Sequence, residues 1–160
     1  MTSTKLQKNL LAALSVSVAA IFLQTLFFKF TGAPETRHIF STLSEWAADF
    51  GLGWVFAPFG PGGPYATGVA ELLAAALLLT GTFRSERRTL QVLGAALGVM
   101  LMSGALFFHL FTPLGIDVLG DGGLLFALAT ISWISSMSIV VARRDLWRRG
   151  WPARLETAEG

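Results

Sequence analysis

Four long apolar stretches constrain this chain more than any other feature. They run from about Leu10 to Phe28, Tyr65 to Thr82, Leu90 to Phe111 and Gly122 to Val141. Crossing the hydrocarbon core of a bilayer takes about 20 mostly apolar residues in helical form. Lipid offers no partner to an unpaired backbone amide, so each stretch reads as a transmembrane helix. Within them only Glu71 is ionised at neutral pH, with His109 titratable near a span end. The charged fraction of 14% and the mean hydropathy of +0.61 agree, since a soluble domain carries about 25% charged residues. The expected fold class is an all-α membrane protein, a four-transmembrane-helix bundle over residues 1–142 followed by a basic tail over 143–160. Lys5 and Lys8 before the first run resemble the start of a signal peptide. That run is longer than the roughly 7–15 residues of a signal core and no A-x-A-like site follows it, so it reads as a retained helix.

Lysine and arginine set the orientation, because cytoplasmic loops accumulate them. Lys5 and Lys8 precede the first span, Arg84, Arg87 and Arg88 separate the second from the third, and Arg143, Arg144, Arg148, Arg149 and Arg154 follow the fourth. These make ten of the twelve basic residues, with only Lys29 and Arg37 on the other side. Both termini are therefore expected in the cytoplasm of a multi-pass protein of a bacterial or archaeal plasma membrane. The basic residues flank apolar spans and suit anionic lipid headgroups rather than nucleic acid. Absence of cysteine excludes disulfides, thiol shuttles and thiolate-bound metal or iron–sulfur clusters.

The longest connection, Lys29 to Pro64, lies on the outer side in this topology. Ile39, Phe40, Leu43, Trp46, Ala47 and Phe50 recur at helical spacing among polar residues. An amphipathic helix on the outer surface, or capping the bundle, is expected there, with Thr36 or Ser41 as capping candidates. The Gly- and Pro-rich, aromatic segment Gly51–Pro64 cannot continue that helix and is expected to fold over the bundle mouth.

Helix packing in lipid relies on small residues and hydrogen bonds. Candidate packing stripes are Gly94, Gly98, Ala105 and His109 in the third span, Thr67, Gly68, Glu71, Ala75 and Thr82 in the second, Ala13, Ser17, Ala20 and Gln24 in the first, and Ser132, Ser135, Ser136 and Ser138 in the fourth. Lys29 is about 140° around the first helix from Gln24, so the two cannot both face the core.

An ionisable residue within a span is costly unless paired or hydrated, and marks a functional site by default. The topology gathers Glu71, His109 and Lys29 at the outer mouth, with Asp117 and Asp121 preceding the fourth span there. Two readings compete. In one, Lys29 or His109 neutralises Glu71 and pins helices together. In the other, Glu71 and His109 bind a polar headgroup and exchange its protons. Scattered carboxylates around one span histidine do not form a metal motif. His38 reads as a solvated loop residue beside Glu35 and Arg37. Phe27–Phe28 and Phe107–Phe108 read as lipid contact or packing, with a wall for an isoprenoid-like ligand as the alternative.

Three blocks carry a family resemblance. Phe28-Lys-Phe-Thr-Gly-Ala-Pro-Glu35 followed by Ile39-Phe-Ser-Thr-Leu43, Thr67-Gly-Val-Ala-Glu-Leu72, and Met102-Ser-Gly-Ala-Leu-Phe-Phe-His109 running on to Phe126 resemble the successive blocks of the DoxX-like family. Together they cover most of the chain from Phe28 to the fourth span. The resemblance implies a four-helix membrane bundle in which Lys29, Glu71, His109 and Asp121 match motif positions. It further implies a link to quinone-linked redox systems, the family being named after a subunit associated with a quinol oxidase and thiosulfate:quinone oxidoreduction. The segment Gly51–Pro64 is longer than the minimal family pattern.

The leading functional expectation is an accessory or quinone-interacting subunit of a membrane redox system. Glu71 and His109 handle headgroup protons in it, Lys29 and Asp121 support them, and a membrane-protein partner supplies electrons. No cofactor is evidently held by this chain, with quinone the one implied. Two rivals differ in class: a scaffolding subunit without chemistry of its own, and a small-molecule transporter working as a homo-oligomer.

Overall fold

The computed structural model describes residues 2–84 and 87–144. The tail expected over 143–160 thus lies outside the described residues from 145 onward, together with Trp147 and Trp151. Among the described residues the chain forms five α-helices: α1 (Thr2–Thr31), α2 (Pro34–Ala48), α3 (Pro64–Phe83), α4 (Arg88–Phe111) and α5 (Leu124–Ala142), with a short 3₁₀ turn at Gly53–Phe56. Four of these, α1, α3, α4 and α5, are long and apolar enough to cross a membrane. Their bounds match the expected spans to within a few residues, except that α1 continues at both ends.

Helix ends follow local chemistry. Gly32 adopts a left-handed φ of +63°, which glycine reaches without steric cost, and the Ala33 amide reaches back to the Phe28 carbonyl at 3.0 Å. This Schellman closure ends α1. Pro34 and Pro64 then open α2 and α3, where a missing N–H is harmless and the fixed φ suits a first turn. Neither Thr36 nor Ser41 caps α2: its N-cap is Ala33, Thr36 is buried, and the Ser41 hydroxyl donates to the His38 carbonyl. Glu35, Arg37 and His38, placed in a loop by the sequence reading, fall on the early turns of α2.

The four long helices form a ring in which α3 packs on α1 and α4, and α5 packs on α4 and α1. Each turns inward a line of buried and half-buried residues spaced four and three apart. The lines are Leu11, Ser15, Val18, Phe22, Thr25 and Lys29 in α1, and Gly68, Glu71, Ala75, Leu78 and Thr82 in α3. In α4 they are Gln91, Ala95, Gly98, Met102, Ala105 and His109, and in α5 Ala129, Ser132, Ser136 and Ile139. A 3.5-residue repeat is the seam of knobs-into-holes packing in left-handed bundles. The α3 stripe expected from sequence is this seam, but the α1 stripe is not. Ala13, Ser17, Ala20 and Gln24 are all exposed, two positions and so about 200° away from the buried line.

Gly94 and Gly98 serve two interfaces rather than one. A Cβ on Gly94 would sit 2.7 Å from the Leu78 amide nitrogen and 2.8 Å from the Ala74 carbonyl in α3, whereas one on Gly98 would meet the Ser136 hydroxyl of α5 at 2.8 Å. In the α5 stripe Ser132, Ser135 and Ser136 are buried and Ser138 is exposed.

One end of the bundle carries a cap. Leu43 and Ala47 of α2, Phe56 of the 3₁₀ turn, and Leu114 and Val118 of the α4–α5 connection form a second buried cluster, with Trp46 and Phe108 against it. The Gly51–Pro64 segment turns on itself through the Gly62 amide to the Val55 carbonyl (2.9 Å) and the Gly60 amide to the Ala57 carbonyl (2.8 Å). This is the loop end; the opposite end, where α1 begins and α5 stops, is the terminal end.

Candidate functional site

Between the four-helix seam and the cap lies a cavity of about 400 Å³. Its walls are almost wholly apolar: Phe22 of α1, Met102, Ala105 and Phe108 of α4, Ala129 of α5, and Ile39, Phe40, Leu43, Val55 and Phe56 from the cap. Of the two phenylalanine pairs singled out in the sequence, only Phe108 lines it; Phe27, Phe28 and Phe107 are exposed on the bundle surface.

Lys29, Thr25, Glu71, Thr67 and His109 are the polar side chains on this wall. Glu71 stands on α3 opposite the end of α1 and is 5% exposed. Lys29 Nζ lies 2.6 Å from each of its carboxylate oxygens. The Thr25 hydroxyl sits 2.9 Å from Glu71 Oε2 and 2.9 Å from the Phe22 carbonyl, so its one proton serves either acceptor. Thr25 precedes Lys29 by one helical turn, which puts both on the same face of α1. The Lys29–Glu71 pair is the salt bridge found among the described residues. An ammonium has three donors, and two N–H groups directed at the two carboxylate oxygens leave one for another acceptor.

His109 ends the α4 seam and is buried. Its Nδ1 lies 2.6 Å from the Gly115 carbonyl, an acceptor, so Nδ1 carries the proton. With that tautomer Nε2 is an acceptor, and among the described residues it makes no hydrogen bond. The Phe126 ring and the imidazole meet edge to face with centroids 5.8 Å apart. His109 and Glu71 thus share the cavity without bonding to each other.

Asp121 plays a different part from the one expected. It does not line the cavity. Its Oδ1 accepts from the Val118 and Gly123 amides at 3.0 and 2.9 Å, and its Oδ2 from the Leu125 amide at 2.9 Å. It thereby ties the α4–α5 connection to the first turn of α5. Burial acts to raise its pKa, but the Leu125, Val118 and Gly123 amides and the Asp117 side chain more than offset this and hold the carboxyl below its ordinary value. Asp117 accepts from the Gly122 amide in the same connection.

Lys29, Glu71 and His109, expected together, do meet at one cavity, and Asp121 stands apart in the adjoining loop. Thr25 was missed, although its position one turn before Lys29 is visible in the sequence. No family model matches the chain, and no curated protein or solved structure matches it either.

Proposed function

We propose that the chain is a DoxX-like membrane subunit that receives a quinone headgroup in the loop-end cavity. It is read as lying in a plasma membrane with both termini cytoplasmic, α2 amphipathic on the outer face, and the cavity beneath that outer cap. The observation that carries this reading is an apolar cavity of about 400 Å³ with a few convergent polar groups, the usual make-up of a small-molecule site. A quinone ring with one or two isoprenoid units needs that combination: greasy walls, a donor for a carbonyl oxygen, and an acceptor for a hydroxyl of the reduced form. The remaining Lys29 N–H supplies the donor and His109 Nε2 the acceptor. Glu71 holds the lysine in place. Reduction of a bound quinone to its quinol takes two electrons and two protons; a membrane-protein partner supplies both electrons, and both protons are drawn from water, one of them by way of His109 Nε2.

A second reading, scaffolding without chemistry, draws on the same pair. Both Glu71 oxygens are engaged by Lys29, as a helix-pinning ion pair requires. Equilibrium binding of a short-chain quinone to the purified full-length chain separates the two. The quinone reading expects saturable binding that weakens by about tenfold or more in His109→Ala, the loss of one buried hydrogen bond to the ligand. Absence of binding, or binding indifferent to His109→Ala and Lys29→Met, leaves the scaffold.

A further inference from the structure

At the terminal end, on the far side of the bundle from the cavity, a pocket of about 300 Å³ is lined by Lys8 of α1, Gly81 and Thr82 of α3, Arg88 and Gln91 of α4, and Arg143 at the end of α5. Three cations from three helices therefore face one small space. The carboxylates among the described residues, Glu35, Glu45, Asp49, Glu71, Asp117 and Asp121, all belong to the loop end. Among the described residues none of the three cations has an acidic partner.

Gln91 is 1% exposed. Its amide is oriented by its neighbours. The Ser15 hydroxyl donates to the Leu11 carbonyl at 2.8 Å and the Thr82 hydroxyl to the Leu78 carbonyl at 2.7 Å. Both hydroxyl oxygens are left as acceptors, and Gln91 Nε2 donates to them at 2.9 and 3.1 Å. Among the described residues Gln91 Oε1 is buried with no donor and Arg143 Nε is buried with no acceptor. Buried polar atoms are nearly always satisfied, and orphans call for an explanation. Burial, and after it the charge of Arg88, lowers the Arg143 pKa.

An unmet acceptor beside three cations specifies more than an anion. A carboxylate, or a phosphate diester without a hydroxyl, would satisfy the arginines but would give Gln91 Oε1 nothing. We propose that the pocket binds a polyol phosphate, with Lys8, Arg88 and Arg143 on the phosphate oxygens and an adjacent hydroxyl donating to Gln91 Oε1. Basic pockets between transmembrane helices are suited to anionic lipid headgroups. The same chemistry is offered by a phosphatidylglycerol headgroup or by free glycerol phosphate.

The test is lipid titration of the detergent-purified full chain, read by native mass spectrometry. The ligands are phosphatidylglycerol, phosphatidylmethanol (the same charged diester without hydroxyls) and phosphatidylcholine, with glycerol 3-phosphate titrated separately by calorimetry. Phosphatidylglycerol, or glycerol 3-phosphate if the source is soluble, is expected to bind at least about tenfold tighter than phosphatidylcholine, and Arg88→Gln with Arg143→Gln is expected to remove that preference. A roughly fivefold preference for phosphatidylglycerol over phosphatidylmethanol reads the Gln91 contact without disturbing Gln91, which the fold needs. Binding of the lipid alone assigns a headgroup site, and binding of glycerol 3-phosphate alone assigns a soluble ligand. If neither exceeds phosphatidylcholine, or if both arginine changes leave binding intact in a folded protein, the site is refuted. Equal binding of phosphatidylglycerol and phosphatidylmethanol refutes the hydroxyl contact.

Discussion

Replacing Glu71 with glutamine keeps the side chain's shape and one acceptor for Lys29 but removes the negative charge. The two side chains are 15% and 6% exposed, with Nζ 2.6 Å from the carboxylate. At an effective dielectric of about 20, unit charges at that separation attract by about 6 kcal/mol, most of it spent on the desolvation of both groups. Breaking such a pair from one side costs about 3–5 kcal/mol because the partner charge stays behind. Lys29 is near the end of α1 and its stem can carry the ammonium toward the interface, which places Glu71→Gln at the lower end, about 3 kcal/mol. The double variant Lys29→Met, Glu71→Leu leaves no stranded charge and is expected within about 1 kcal/mol of the parent chain. Reversible unfolding of the purified chain by SDS titration in mixed micelles measures the parent, Glu71→Gln, the singles Lys29→Met and Glu71→Leu, and their double variant, the last three closing a cycle with the parent. A Glu71→Gln loss under about 0.5 kcal/mol, or a double variant as unstable as the two single losses added together, refutes the view that this pair is a buried, mutually dependent contact.

Other consequences follow from the packing, the loop and the topology. Gly94→Leu forces a side chain into the Leu78 and Ala74 backbone, and its expected cost of about 1–3 kcal/mol is read by the same titration, with Gly104→Leu, which meets only the edge of the Phe108 ring at 4.0 Å, as the mild control. Asp121→Asn is expected to destabilise the chain at neutral pH. Because the folded carboxyl titrates below the ordinary value of 3.8, the parent's advantage is full above that value and fades as pH falls through the folded pKa; thermal unfolding from pH 7 down to about pH 3 shows whether the two curves converge. The chain has no cysteine, so single-cysteine labelling is clean. With an impermeant maleimide on intact cells, Glu45→Cys is expected to react and Arg87→Cys to react only after lysis, and the opposite pattern reverses the orientation.

Hydropathy made the four spans legible because lipid leaves a polar backbone no alternative to helix, and the span limits needed only length and composition. The cap was legible for a similar reason: Pro, Gly and aromatic residues over 51–64 can neither extend α2 nor stay in water. The packing face of α1 was not. In lipid both faces of a helix are apolar, so the small-residue line Ala13, Ser17, Ala20 and Gln24 competed with Leu11, Ser15, Val18 and Phe22 on equal terms. Lys29 breaks the tie, since it extends the second line by the same four-and-three spacing and meets Glu71. The chemistry of Asp121 was hidden because its partners are backbone amides of a turn, which carry no mark in a sequence. The amide network of Gln91 was open to inspection as a polar residue at the start of a span, and its partners Ser15 and Thr82 lie on the same seam as the functional cluster.

The central claim, that the loop-end cavity receives a quinone, is tested most directly by photo-labelling the purified chain with an azido-quinone and mapping the modified residues. The account predicts labels on the cavity walls of α1 and α4, among Phe22, Met102, Phe108 and His109, that disappear when excess unlabelled quinone is present. Labels confined to exposed surface positions such as Phe107 and Leu110, or labels that excess quinone does not suppress, would contradict it.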